Sequence, residues 1–406
     1  MTEEEIGEQD QDENSLVHPE EVVRRRKASA ASKVEEDKKP MASTAGMVRI
    51  EYESNGRFTT PTHLYYTDYK AKHINSLSLS RQEDLLRNLV AVLNEMKSND
   101  IPEEAANFDV GDHTPEEFYE TLIGIKQQFV GDAHKHLWLC DCQEDIPEKE
   151  KKLSEQVIML SSIKYSNIEE ADQKLREQYK LYLEDMSDEE FAEYLLLKHN
   201  EEVTITKDNR QGIIEDELAN VRIEEPITIG RDGKVYRFRF TRIKDMIRGF
   251  EIASKDFTIE SKKVRGRYQN LQSNPGLPMS REELAYKKET EMKKLDEQRS
   301  QRAILYSKCL SLISVDNVPL TDEQRIEIFS NIDRGILDDF TAFLDPIVYG
   351  VNDEREFVCN LCNKPERGFL HQRITPLEFL PIADDRKSTA RKKLGVRPTT
   401  TIFFGG

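Results

Sequence analysis

The chain has 406 residues, of which 33% are charged and 37% are hydrophobic, and its formal net charge is −18. The negative charge argues against nucleic acid as the main partner, since phosphate binding needs a basic surface. No apolar run approaches the roughly 18 residues of a membrane span, and the acidic N-terminus lacks the apolar core of a secretory signal. We therefore expect a charged, multi-module protein made in a reducing cytoplasm.

The first segment, residues 1–45, is polar and poor in aromatic residues, with a short basic run at Arg24-Arg25-Arg26-Lys27. Such a segment cannot bury enough apolar surface to offset the entropy lost on ordering. It is predicted to be disordered in the free protein and to order only on a partner.

A first α+β module is predicted over residues 46–145. Alternating apolar residues indicate strands near residues 48–52 and 64–66, and an apolar face predicts a helix over residues 80–96. Thr114-Pro115-Glu116-Glu117 is typical of a helix start, with a hydroxyl N-cap, proline in the first helical position and acids in the first turn. A strand ending at Cys140 closes the module.

The remaining segments alternate helices with short strands. Residues 146–200 are predicted to be charged and helical, and residues 201–273 to form a β-hairpin with a helix, including strands at 203–205, 227–229 and 235–240. Residues 274–345 are predicted to be helical, with a polar stretch at 287–302 that is exposed or packed on another subunit. A β-hairpin module is predicted at 346–384 and a basic tail at 385–406. The fold class is α+β, mostly helical, with small antiparallel β-modules.

Cysteine is scarce and clustered. Four of the five cysteines form two pairs, Cys140 with Cys142 and Cys359 with Cys362. Four thiolates suit a tetrahedral zinc ion, and the two-residue spacer of Cys359-x-x-Cys362 is that of a usual half-site. The one-residue spacer between Cys140 and Cys142 is not that of a usual half-site. The unequal spacing therefore favours two separate structural knuckles over one shared zinc ion.

Other interpretations of the cysteines remain open. The four could be unmetallated small hydrophobes, or a redox dithiol, although no thioredoxin-like pattern surrounds either pair. His134, His136 or His371 could replace a cysteine as a metal ligand. Cys309 lies on an apolar helix face and is predicted to be a core residue.

No catalytic motif is present in the sequence: there is no glycine-rich phosphate loop, no zinc-protease helix and no nucleophile elbow. His134 and His136 share one strand face, which we expect to be exposed. A hydrolase that uses this histidine pair is the remaining enzymatic hypothesis. We predict a protein that is not an enzyme and that has either no cofactor or a structural zinc ion.

The order of the elements resembles that of the baseplate hub and hub-assembly proteins of T-even-type and related contractile-tailed phages. The resemblance rests on the opening segment at 48–58, the strand pair with Tyr236, Phe238 and Phe240, the two cysteine pairs, and the segments at 347–351 and 377–381. It implies a non-enzymatic structural or assembly component of the tail baseplate, present in several copies and assembled in the host cytoplasm. Its partners would be tail-tube, hub or wedge proteins.

The alternative function is that of a zinc-ribbon transcription or nucleic-acid-binding factor. The Cys359 hairpin and two basic clusters, at 262–267 and 386–393, favour it. The net charge of −18 argues against this alternative. In the baseplate interpretation, the same clusters are complementary patches for neighbouring subunits.

Overall fold

The computed structural model describes residues 45–369, with gaps at 59–61, 81, 144, 148–149, 232, 274–279, 332–334, 345–346 and 348. The predictions for residues 1–44 and 370–406, which include the N-terminal tail, His371 and the basic C-terminal tail, lie outside the described residues.

The described chain is mostly helical, with five small antiparallel sheets, which confirms the predicted α+β class. Its helices are α1 Ala71–Leu79, α2 Gln82–Met96, α3 Pro115–Phe129, α4 Ile168–Asp185, α5 Asp188–His199, α6 Arg210–Ala219, α7 Ile243–Gln272, α8 Arg281–Leu310, α9 Asp322–Asn331 and α10 Gly335–Leu344. Its strands are β1 Met47–Glu51, β2 His63–Thr67, β3 Ala133–Trp138, β4 Ser154–Met159, β5 Tyr165–Ser166, β6 Ile227–Arg231, β7 Lys234–Phe238, β8 Leu312–Val315, β9 Val318–Pro319, β10 Gly350–Val351, β11 Glu354–Val358 and β12 Pro365–Phe369. Within the described ranges, no helix is long and apolar enough to cross a bilayer.

A first hydrophobic core lies between α2, α3 and the hairpins β1–β2 and β3–β4. Leu89 and Leu93 of α2 and Leu122 of α3 are fully buried in it, as the spacing of apolar residues along both helices predicts. The start of α3 is also confirmed, because Thr114 and Glu117 form a reciprocal capping box with proline in the first turn.

A second hydrophobic core lies between α4, α5, α6, α10 and the sheet β6–β7–β8–β9. Tyr236 and Phe238 of β7 are buried in it, while Arg237 and Arg239 are half-buried. The strand predicted at residues 203–205 is wrong, since these residues join no ladder in the described chain. The side chains of Val203 and Ile205 instead pack on this core from an irregular segment.

Helices α7 and α8, each 30 residues long, form an antiparallel hairpin that we call the arm. The two helices approach closely at Gly249, where an added Cβ would lie 2.6 Å from Ser307 Oγ. Farther out, Arg302 forms an ion pair with Glu260 at 2.9 Å. The polar stretch predicted at 287–302 therefore packs along α7 of the same chain and exposes its outer side.

Candidate metal centre

The structure brings both cysteine pairs into one cluster. The Sγ atoms of Cys140, Cys142, Cys359 and Cys362 all lie within 4.8 Å of one another. Two of the distances, Cys140 to Cys362 and Cys142 to Cys359, are 3.8 Å. A tetrahedral zinc ion with Zn–S bonds of about 2.3 Å requires sulfur atoms about 3.8 Å apart. The expectation of two separate knuckles is wrong, and the four cysteines could hold one metal ion.

Two hairpins position the four thiols. Cys140 and Cys142 follow β3, where the chain turns into a short 3-10 helix at Asp141–Gln143. Cys359 and Cys362 lie in the turn between β11 and β12. Asn363 closes that turn in the left-handed conformation, with φ of 55°, and its N–H donates to the carbonyl of Cys359 at 2.8 Å. The cluster forms because the ends of the two hairpins meet.

Contacts beside the cluster hold the two hairpins together. The Gln156 side chain of β4 donates to the carbonyl of Glu356 at 3.2 Å and accepts from the N–H of Val358 at 3.3 Å. Phe357 of β11 packs edge-on against Trp138 of β3 and joins the first core. These contacts hold the two hairpins in the arrangement that brings the four thiols together.

The thiols differ in how readily they ionise. Burial disfavours the thiolate of Cys359, but hydrogen bonds from Ser154 and from the N–H groups of Cys362 and Leu361 outweigh burial and lower its pKa to about 6. Ser154 Oγ lies 2.9 Å from Cys359 Sγ. Burial raises the pKa of Cys140 to about 12 and also raises that of Cys142. Cys359 is thus ready as a thiolate, and a bound cation would displace protons from Cys140 and Cys142.

The donor set decides which chemistry the cluster supports. Four cysteine ligands fill a tetrahedral coordination shell and leave no position for water or substrate. Cys359 is buried, Cys140 and Cys362 are half-buried, and Cys142 is exposed. Such a closed site stabilises structure and does not activate a water molecule.

The two histidines are not part of this cluster, and the expectation that their strand face is exposed is wrong. His134 and His136 are both buried. His134 Nδ1 lies 2.8 Å from Nζ of Lys126 on α3, and His136 stacks on Trp138 at a centroid distance of 5.3 Å. Their face is buried because α3 and Phe357 cover it. The fifth cysteine, Cys309, is fully buried in the second core, as predicted.

A group of buried acids was missed by the sequence analysis. Glu120, which is buried, and Glu116, which is half-buried, lie one turn apart on α3, and burial raises the pKa of both. Glu120 accepts from the N–H of Glu53 at 3.1 Å, while its Oε1 has no hydrogen-bond partner among the described residues. Gly350, at φ of 68°, passes so close that an added Cβ would lie 2.7 Å from Glu120 Oε1. Nothing in the local sequence marks these two acids for burial, because β10 covers them from about 230 residues away.

Comparisons of the chain with protein-family models, with curated proteins and with solved structures find no significant match.

Proposed function

We propose that Cys140, Cys142, Cys359 and Cys362 hold one structural zinc ion. The observation that carries this proposal is the convergence of four sulfur atoms within 4.8 Å from two pairs separated by more than two hundred residues. Clusters of four thiolates suit zinc or iron–sulfur centres, and zinc takes them as a closed tetrahedral site.

Metal analysis of the protein purified under reducing conditions tests this proposal. We expect one zinc per chain in the native protein and less than a tenth of that in a variant with all four cysteines replaced by serine. Cys309→Ser is the matched control and should keep its zinc, because Cys309 lies in the second core. Iron in place of zinc, or native protein without bound metal, would refute the assignment.

We further propose that the protein is a non-enzymatic component of a contractile-tail baseplate, acting through protein–protein contacts in the virion or during assembly. The order of strands, helices and cysteine pairs supports this proposal by its resemblance to hub and hub-assembly proteins. The closed donor set agrees with a structural role.

Removing the gene from a phage that carries it tests the baseplate role. We expect tails without complete baseplates, visible by electron microscopy, and restoration when the native chain is supplied in trans. Normal infectious tails in the absence of the protein would refute the proposal. The four-serine variant should restore assembly less well than Cys309→Ser if the zinc ion supports the assembling fold.

A further inference from the structure

The outer part of the arm carries charge opposite to that of the whole chain. Residues 262–294 contain nine basic and four acidic side chains, whereas the net charge of the chain is −18. We call the described residues 262–273 and 280–294 the basic tip. Lys262, Lys263 and Arg265 are exposed there, and none has an ion-pair partner among the described residues. Their charges are therefore available to a partner.

An aromatic side chain lies within the basic tip. Tyr286 of α8 is 72% exposed, a large fraction for a side chain of this size. Tyrosine and arginine are enriched where proteins bind one another, because they combine a large contact area with a polar group. Ser280 and Glu283 form a capping box that fixes the start of α8, so the tip presents Tyr286 from a defined helix.

A complementary surface lies elsewhere on the same chain. Residues 168–220 contain sixteen acidic and six basic side chains. On α4, Leu181 is 60% exposed and is surrounded on its helix face by Glu177, Glu184 and Asp185. We call these four residues the acidic face. It offers an apolar centre with an acidic rim, where the basic tip offers an aromatic side chain with basic neighbours.

We propose that the basic tip of one copy docks on the acidic face of a second copy of this chain. The two surfaces differ, so the contact is heterologous and extends from copy to copy until it closes into a ring or continues as an open chain. The proposal goes beyond the function given above and does not depend on the zinc ion or on the baseplate role.

The same tip could in principle contact nucleic acid, but its composition favours a protein partner. Glu282, Glu283, Glu289 and Glu291 lie between its basic residues along α8. A phosphate backbone would meet these four carboxylates together with the lysines. Mixed charge around an exposed aromatic residue suits a protein surface, where acids and bases of both partners pair and set the register.

Sedimentation velocity of the full chain tests the proposal. The Debye length falls from about 10 Å in 0.1 M salt to about 3 Å in 1 M salt, so we expect oligomers at low salt that dissociate at high salt. The tip variant K262E/K263E/R265E and the face variant E177K/E184K/D185K should each raise the dissociation constant by about tenfold or more. Tyr286→Ser should weaken association without changing its salt dependence.

A mixture of the two charge variants provides the sharper test. Each variant alone should associate poorly, while an equimolar mixture should form mixed oligomers. In the mixture, the acidic tip of the tip variant meets the basic face of the face variant. The native tip of the face variant meets the native face of the tip variant. The matched control K164E/K207E/K234E makes the same change in charge at exposed lysines outside both surfaces and should associate like the native chain. Circular dichroism would show that every variant keeps the helical content of the native protein.

The proposal is overturned if the native chain is monomeric at low salt, if the mixture does not associate, or if the control variant weakens association as much as the tip variant. It is also overturned if the native chain shifts a short DNA duplex at low salt and the tip variant does not, because the tip would then be a nucleic-acid contact.

Discussion

Free zinc should raise the free energy of unfolding of this protein, because only the folded chain offers all four ligands. Cys142 and Cys359 are 217 residues apart and meet through the two hairpins. Closing a chain segment of that length costs about 5 kcal/mol of loop entropy. If the unfolded chain engages all four ligands, this cost lowers its zinc affinity by about three to four powers of ten; otherwise it binds zinc through one cysteine pair only.

The zinc-dependent increase in the free energy of unfolding follows from this difference in zinc affinity between the folded and the unfolded chain. A ligand that binds only the folded state adds about 2.7 kcal/mol when its free concentration is 100 times the dissociation constant, and about 1.4 kcal/mol for each further tenfold increase. Replacing Cys140 and Cys142 together by serine removes two ligands and leaves only the Cys359 pair. We expect this variant to lose nearly all of the zinc-dependent increase, because the remaining pair is equally available in the unfolded chain.

Urea unfolding in zinc-buffered, reducing solutions measures this increase as a shift of the midpoint with the logarithm of free zinc. Cys309→Ser is the control. It should lower stability at every zinc concentration because it changes a fully buried side chain, and it should keep the native slope. A variant with both Cys140 and Cys142 replaced by serine and the native slope would refute the reasoning, since the Cys359 pair alone would then bind zinc in the folded state.

Three further predictions concern the buried acids and the arm. Burial raises the pKa of Glu120 well above its usual 4.5. The protonated Glu120 therefore adds its full contribution to the free energy of unfolding below pH 4.5, and this contribution is lost as pH rises through the folded-state pKa. In urea titrations, the free energy of unfolding of Glu120→Gln should therefore fall less with rising pH than that of the native protein. A fall equal to that of the native protein would contradict this assignment. Gly249→Ala would place a Cβ 2.6 Å from Ser307 Oγ and should lower the free energy of unfolding by about 2 kcal/mol. Gly266→Ala, on the same helix with nothing within 4 Å, should leave it unchanged or higher, and equal losses in both variants would contradict the packing argument. Ser280→Ala should destabilise the start of α8 by about 1 kcal/mol, seen as faster hydrogen exchange there, and native exchange rates would show that the cap is not needed.

The sequence predicts those features of the fold that depend on neighbouring residues. The start of α3 at Thr114-Pro115 was predictable because a hydroxyl cap, proline and first-turn acids act within four residues. The buried face of α2 was predictable because apolar side chains repeat at helical spacing. The core position of Cys309 follows from the same periodicity.

Features that depend on distant segments were not predictable in this way. The one-residue spacer of Cys140 and Cys142 argues against a shared site only if each pair must form a half-site on its own. In the folded chain, the 3-10 helix after β3 turns both thiols towards the β11–β12 turn, which makes the spacer unimportant. His134 and His136 look exposed by alternation along β3, yet the preceding helix α3 and the distant Phe357 cover them.

The path of the chain explains why a structural metal is useful at this position. The chain builds most of the first core, adds Ile243 of α7 to it between segments of the second core, and returns to it after Tyr349 with Val351 and Phe357. The returning segment is short, and its docking rests on the pairing of β5 with β10, the Gln156 hydrogen bonds and the packing of Phe357. A metal ion held by Cys140, Cys142, Cys359 and Cys362 would fix the open end of this contact. It would stabilise the return of the chain to the first core more than either core itself.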